Sequence, residues 1–255
     1  MKVGVEERRV VVTGAANGLG LAIARRLCAG GASVLMVDSD EAVLARVGEK
    51  DLPSTKAFAV VKDLSEPDAG SFVFEQVTTT LGLADTLINN AASSFHKPML
   101  EVTQAEFDRL VGVNQRAPFF LAQEFLRQIV RATERPRDAA IVNIGSVNAM
   151  VGNANLVAYA GTKGALVSMT RAMAVEMQDF HIRVNTISPG AIKTFVTTNL
   201  IASGVIDPPK LMEKYLVKRF ATCEEVAELV AYLCSEAAGV VNGANWEIDG
   251  GYLAQ

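Results

Sequence analysis

Cysteine is scarce, with three residues in 255, namely Cys28, Cys223 and Cys234, an odd number that forms no Cys-x-x-Cys pair. That leaves no basis for a disulfide framework or a dithiol redox motif, and it fits a reducing compartment in which Cys28 and Cys234 are buried free thiols in apolar helical patterns. Positive charge is not in excess either, since 24 Lys and Arg face 28 Asp and Glu for a net charge of −4. Such a balance gives no electrostatic reason to expect nucleic acid or an anionic membrane surface as partner. The basic stretch from Arg131 to Arg137 is interrupted by Glu134 and Pro136 and reads as a solvated connection. Long apolar runs are missing. Met1 to Arg9 is short, polar and charged, without the apolar core of a signal peptide, so the expectation is a cytoplasmic protein with no membrane partner.

There is also no internal repeat, no low-complexity tract and no linker, while half the residues are hydrophobic and 20% are charged. One α/β domain over residues 1–255 follows from that balance. Short β-branched runs at Arg9–Thr13, Ser33–Val37, Ala57–Val61, Thr86–Asn89, Ala139–Gly145, Arg183–Ser188 and Asn245–Ile248 predict seven strands. Several are nearly continuous apolar runs, as parallel strands covered on both faces require. Between them, helical patterns fall at about 18–30, 41–47, 68–81, 103–130, 157–179 and 222–236. Thr103 with Glu106, and Thr222 with Glu225, have the spacing of capping boxes. The alternation predicts a single doubly wound domain, a seven-stranded mostly parallel sheet with helices on both faces. The segment 194–220, with Gly204, Pro208 and Pro209, breaks the rhythm and is expected as an irregular insertion forming a lid or substrate pocket.

The first strand runs into Thr13-Gly14-Ala15-Ala16-Asn17-Gly18-Leu19-Gly20, and an amphipathic helix follows. Gly14 permits a tight turn, Gly18 lets backbone approach a phosphate, and Gly20 allows close helix packing. The spacing G-x-x-x-G-x-G departs from the six-residue dinucleotide fingerprint. Asp38 ends the second strand, some twenty residues past the glycines, where a carboxylate accepts both ribose hydroxyls of an adenosine. Its charge would repel a 2′-phosphate. Asn17 is neutral and no Arg directly follows Asp38, so NAD(H) is expected in preference to NADP(H).

Tyr159 and Lys163 lie one helical turn apart, thirteen residues and more after Ser146. A tyrosine hydroxyl ionises near pH 10, too high for an efficient base at neutrality, and a lysine on the same helix face stabilises tyrosinate. Ser146, at a strand end, is placed to hydrogen-bond a substrate oxygen as charge develops on it.

With these residues the chain resembles the short-chain dehydrogenase/reductase family from about Arg9 to Tyr252. The resemblance also rests on Asp63-Leu64, Asn89-Asn90-Ala91-Ala92, Asn114, and Pro189-Gly190 followed by Ile192 and Thr194. It implies a Rossmann-type domain that moves a hydride between a secondary alcohol or ketone and nicotinamide C4, with no metal. Tyr159 would be the general acid/base, Lys163 would lower its pKa and hold the nicotinamide ribose, and Ser146 would orient the substrate. Asn114 would anchor a water that passes the proton onward. Asp63 and Leu64 would contact adenine, Asn90 and Ala91 would line the cofactor, and Pro189, Gly190, Ile192 and Thr194 would clamp the nicotinamide amide. Ala92 departs from the family's usual glycine. Pro118 is expected to break the helix ladder just after Asn114 and kink it. A homotetramer built partly through the helices at 103–130 and 157–179 is implied as well.

Near the expected pocket stand Ser94, His96, Asn148, Asn153, Asn155 and Lys193, with Met150, Phe195 and Val196 as apolar contacts. Of these, His96, Asn148 and Asn153, together with Ser146 and Tyr159, are the candidate substrate ligands. So many polar groups suggest a hydroxylated substrate such as a sugar or polyol. A 3-oxoacyl or steroid-like carbonyl stays open, and so does a dinucleotide-binding sensor or scaffold without turnover, although Tyr159, Lys163, Ser146 and Asn114 are all present.

Overall fold

The computed structural model describes residues 4–254, so residues 1–3 and 255, which the expected domain and the N-terminal stretch include, lie outside the described residues. Seven strands form one sheet: β1 (Arg9–Thr13), β2 (Ser33–Asp38), β3 (Ala57–Val61), β4 (Thr86–Asn89), β5 (Ala139–Ile144), β6 (Ile182–Pro189) and β7 (Asn245–Ile248). Their order is β3-β2-β1-β4-β5-β6-β7 and every pairing is parallel. The expected "mostly parallel" sheet is therefore parallel throughout.

Strand alternation divides the apolar residues between two cores. Val10 and Val12 face one side, where α1 (Gly18–Ala29) and α9 (Cys223–Cys234) pack through Ile23, Leu27, Val226 and Val230. Val11, Leu35 and Leu87 face the other, under α3 (Ala69–Thr80), α5 (Ala117–Arg131) and α6 (Val157–Glu176), which bring Val73, Phe125 and Met173. Burying each of these side chains contributes about 1.5–3 kcal/mol. The short helix α2 (Ala42–Ala45) follows β2.

The expected helix over 103–130 is not one helix. It comprises α4 (Gln104–Val111), a π-helical turn at Gly112–Arg116, and α5. Pro118 has no N–H, so the α-helical bond onto the Asn114 carbonyl, four residues back, cannot form. The widened turn absorbs that loss, with the Ala117 N–H bonded to the Gly112 carbonyl, five residues back. The break thus precedes the proline and is centred on Asn114. Both capping boxes form as read, Thr103 with Glu106 and Thr222 with Glu225.

The segment 194–220 is also more regular than its prolines and glycine suggest. It holds α7 (Phe195–Ala202), capped by the Thr194 hydroxyl on the Thr197 N–H, and α8 (Pro208–Met212), opened by Pro208 and Pro209 in its first turn. Gly204 makes the left-handed step between them, at φ +74°. The segment is pinned to the sheet by the Ala191 N–H, which donates to the buried Tyr215 hydroxyl at 2.9 Å. No helix among the described residues is long and apolar enough to cross a membrane.

Candidate active site

β1 and β4 are neighbours at the point where the strand order reverses, so the loops leaving their C-terminal ends open a crevice. Thr13 ties the two ends together: its hydroxyl donates to the Ile88 carbonyl and accepts from the Asn90 and Ala91 N–H groups, both at 3.0 Å. Asn90 completes the link by donating its side-chain amide to the Thr13 and Gly14 carbonyls. Gly14 sits at φ +65°, and a Cβ there would lie 2.8 Å from the Ala91 Cα. Gly20 is tighter still, since its Cβ would fall 2.0 Å from the Gly14 carbonyl oxygen. The packing that needs this glycine is against the turn itself.

The crevice is a cavity of about 480 Å³ bordered by Gly14, Asn17, Gly18, Leu19, Gly20, Asp38, Asp63, Leu64, Asn90 and Ala91, with Tyr159, Ile192 and Thr194 at its far end. All thirteen were singled out from the sequence. The donor set fits a dinucleotide. The first backbone N–H groups of α1 face no side-chain cap, since Asn17 supplies none, and they suit a pyrophosphate. Asp38 accepts the Ala16 N–H at 2.8 Å and the Asp40 N–H at 3.1 Å, one on each oxygen. A carboxylate oxygen has two acceptor sites, so one on each oxygen is left for a ribose diol. Asp63 is held by the Ser65 N–H and by Arg109, which keep its carboxyl below the usual range against the opposing effect of burial.

A second cavity of about 650 Å³ is bordered by His96, Ser146, Asn148, Asn153, Asn155 and Gly190. Segment 194–220 supplies one wall through Gly204, Ile206, Lys210 and Tyr215. The four expected substrate residues other than Tyr159 are therefore together, and Tyr159 stands on the cofactor side. Ser146 and Tyr159 are hydrogen-bonding neighbours, so the two cavities meet at their hydroxyls. Tyr252 also borders the second cavity, and sequence reading missed it. Only the Asp249-Gly250-Gly251 turn, with Gly250 and Gly251 at φ +61° and +79°, could have signalled that the chain bends back there.

Lys163, Asn114 and Pro189 lie behind this front, buried. Lys163 is 2% exposed and its Nζ donates to the Ile144 carbonyl at 2.6 Å. Burial pushes its ammonium down from 10.5 to about 8. Burial also pushes the Tyr159 phenol above 10, an effect that the hydrogen bond with Ser146 opposes. The Asn114 amide is fully engaged: Oδ1 accepts the Ser93 N–H at 2.8 Å, and Nδ2 donates to the Ser93 carbonyl and the Thr162 hydroxyl. Any water-anchoring role therefore falls to its backbone carbonyl, the group that Pro118 denies an α-helical partner.

Such an arrangement sets a phenol beside a hydroxyl and close to a buried cation, between a cleft that fits a dinucleotide and a polar cavity. The family model described as enoyl-(acyl carrier protein) reductase matches residues 14–253. Meso-2,3-butanediol dehydrogenase from Serratia marcescens is 34% identical over 98% of this chain and 96% of its own length. L-xylulose reductase from Bos taurus is 34% identical over 97% of both chains. Among solved structures, a short-chain dehydrogenase/reductase of glucose/ribitol dehydrogenase type from Brucella melitensis superposes with a TM-score of 0.88 at 31% identity, over 97% of each chain. The chain is an oxidoreductase of the short-chain dehydrogenase/reductase family.

Proposed function

We propose that this chain interconverts a secondary alcohol and its ketone with NAD(H), and that its substrate is a polar, hydroxylated compound of the diol, polyol or sugar class. The observation that carries this reading is the meeting of the Tyr159 and Ser146 hydroxyls above the buried Lys163 ammonium, where the two cavities join. When bound, a nicotinamide supplies the acceptor or donor of hydride. In oxidation Tyr159 takes the alcohol proton, Ser146 donates a hydrogen bond to the substrate oxygen, and Lys163 stabilises the tyrosinate through space. In ketone reduction the same tyrosine returns the proton. Tyr159 then regains a proton from solvent by way of Lys163 and water held at the Asn114 carbonyl.

The preference for NAD(H) over NADP(H) rests on Asp38 at the ribose end of the cleft, where a 2′-phosphate would meet a carboxylate. The polar substrate class rests on the amides and imidazole of the second cavity, and it is the chemistry that the names of the butanediol and xylulose relatives carry. Residues 1–255 act as one catalytic domain, with 194–220 as its substrate wall. We further propose a cytoplasmic homotetramer. Phe107, Phe119, Phe120 and Val157, on α4, α5 and α6, are each more than 40% exposed, an apolar surface that association of these helices would cover.

The deciding experiment is a spectrophotometric screen of NAD⁺ reduction against diols, polyols, sugars, hydroxyacids, simple secondary alcohols and steroids, with Tyr159→Phe as control. Turnover confined to hydroxylated compounds and lost in the variant is expected. Clear NADH binding with no turnover of any class would instead favour a dinucleotide sensor.

A further inference from the structure

Four side chains join the C-terminal turn to the substrate cavity by hydrogen bonds that all run one way. The Tyr252 hydroxyl donates to Asn153 Oδ1 at 3.3 Å, and Asn153 Nδ2 donates to Asn148 Oδ1 at 2.7 Å. Asn148 Nδ2 then donates to Ser146 Oγ at 3.2 Å, and the Asn148 backbone N–H donates to the same oxygen at 3.2 Å.

A serine hydroxyl has two acceptor lone pairs and one proton. Both lone pairs of Ser146 are engaged by Asn148, so the hydroxyl can act further only as a donor, toward the Tyr159 oxygen in the free protein and toward a substrate oxygen that enters between them. Which way Asn148 presents its amide is decided by Asn153, because an amide oxygen must face the donating Nδ2 of its neighbour. Asn153 Oδ1 meets the Tyr252 hydroxyl, whose position is set by a ring held against Tyr215 with centroids 4.9 Å apart. Tyr215 itself is buried and accepts the Ala191 N–H.

We propose that Tyr252, Asn153 and Asn148 are positioning residues that make Ser146 an obligate hydrogen-bond donor to the substrate oxygen. The proposal rests on the reading of Ser146 as the residue that meets that oxygen. In a chain of donors each bond polarises the next, so a proton polarised toward the substrate stabilises the negative charge that grows on its oxygen. Asn148 and Asn153 therefore act on the reacting oxygen through Ser146, in addition to lining the cavity that receives the substrate.

The opposite polarity, with Ser146 donating to Asn148, makes the contrary forecast for one substitution. Asn148→Asp keeps an acceptor beside Ser146 and removes the donor, whereas Asn148→Ala removes both and leaves the backbone N–H in place. For the full-length protein with NAD⁺ and meso-2,3-butanediol, Asn148→Asp should lower kcat at least about a hundredfold and Asn148→Ala about tenfold. Tyr252→Phe, which keeps the ring contact, should lower kcat about three- to tenfold with NADH affinity unchanged. An aspartate variant as fast as or faster than the alanine variant would overturn the proposal. So would a Tyr252→Phe enzyme with wild-type kcat.

A second readout needs no turnover. In ¹H–¹⁵N spectra of the resting protein, the Asn148 side-chain amide should shift in both Tyr252→Phe and Ser146→Ala. If it stays in place in either variant, the relay does not exist. Should wild-type protein leave meso-2,3-butanediol untouched, the reading of its substrate loses support while the spectra still decide the relay.

Discussion

The Lys163 ammonium lies 5.7 Å from the centroid of the Tyr159 ring, one helical turn away on α6, and among the described residues no carboxylate pairs with it in its buried site. Its one hydrogen bond among the described residues goes to a neutral carbonyl, at Ile144. A cation so placed is costly to the fold and useful to a neighbouring phenol, because a charge uncompensated by a carboxylate acts on tyrosinate with little attenuation. Stability and chemistry are opposed at this residue.

Tyr159→Phe should lower kcat by about a thousandfold or more and leave the NADH Kd within about threefold. The ring borders the cofactor cleft in either form, and only the ionisable oxygen is removed. Retention of most activity in steady-state assays would take Tyr159 out of the acid–base role.

The pair should also set the pH dependence. Oxidation requires the form of Tyr159 and Lys163 that has lost one proton, so kcat/KM for alcohol oxidation should rise with pH and level off. With Lys163 pushed down to about 8, the apparent pKa belongs to the pair and should lie at or below about 8. In Lys163→Met the phenol titrates alone in a site that raises it, so the midpoint should move above 10. An unchanged profile would separate lysine from tyrosine.

Removing the same lysine should help the fold. Its folded-state pKa of about 8 lies below the ordinary 10.5, so the unfolded chain binds more protons between these values. The penalty is full below pH 8 and fades as pH rises toward 10.5, amounting to about 3 kcal/mol. Urea unfolding of wild type and Lys163→Met at pH 7 and pH 10 isolates it. The wild type should gain about 2–3 kcal/mol on the variant over that interval, and parallel stabilities would show that Lys163 is solvated.

Strand positions and the cofactor cleft were legible because both depend on short-range rules. Short apolar runs mark β1 through β7, and the turn from Gly14 to Gly20 must follow the first of them. The hydrogen-bonded ladder beside Ser146 was not legible, because a sequence shows an amide's donors and acceptors but not their partners, and Tyr252 is 99 residues from Asn153. A second buried ladder, in which Asn89 donates to Asn143 and Asn143 to Thr170, was hidden for the same reason. Segment 194–220 misled in the other direction. Its prolines and glycine look like a broken loop, yet Thr194 and Pro208 open helices and Gly204 only turns between them.

On the proposed reading, Asp38 sets the choice of cofactor. NADH should bind at least about tenfold more tightly than NADPH, a difference of about 1.4 kcal/mol. Fluorescence titration with both cofactors measures it directly. Asp38→Ala should narrow the ratio chiefly by weakening NADH, because the ribose diol loses its acceptor, while loss of the bond to the Ala16 N–H loosens the glycine turn equally for either cofactor. Equal affinities in the wild type would mean that the 2′-phosphate finds a cation nearby, and Lys62 and Arg109 at the rim of the same cleft would be the first to test.

Gly20→Ala tests whether the turn is a built cradle or only a bend. A methyl at this position would lie 2.0 Å from the Gly14 carbonyl oxygen and 2.6 Å from Asn90 Nδ2, which itself donates to that carbonyl. Backbone cannot yield by more than 1 Å there without moving the N-terminus of α1 off the end of β1, and with it the N–H groups offered to a pyrophosphate. Overpacking of this kind costs about 1–3 kcal/mol in a well-packed site. The variant should therefore unfold at lower urea concentration and bind NADH at least about tenfold more weakly. Comparison with Gly161→Ala separates the two effects, since a methyl at Gly161, inside α6, meets nothing within 4 Å and should leave NADH binding at its wild-type value while raising stability by about 0.5–1 kcal/mol. If Gly20→Ala binds NADH normally, α1 can shift without loss, and the cleft does not depend on where this turn holds the helix.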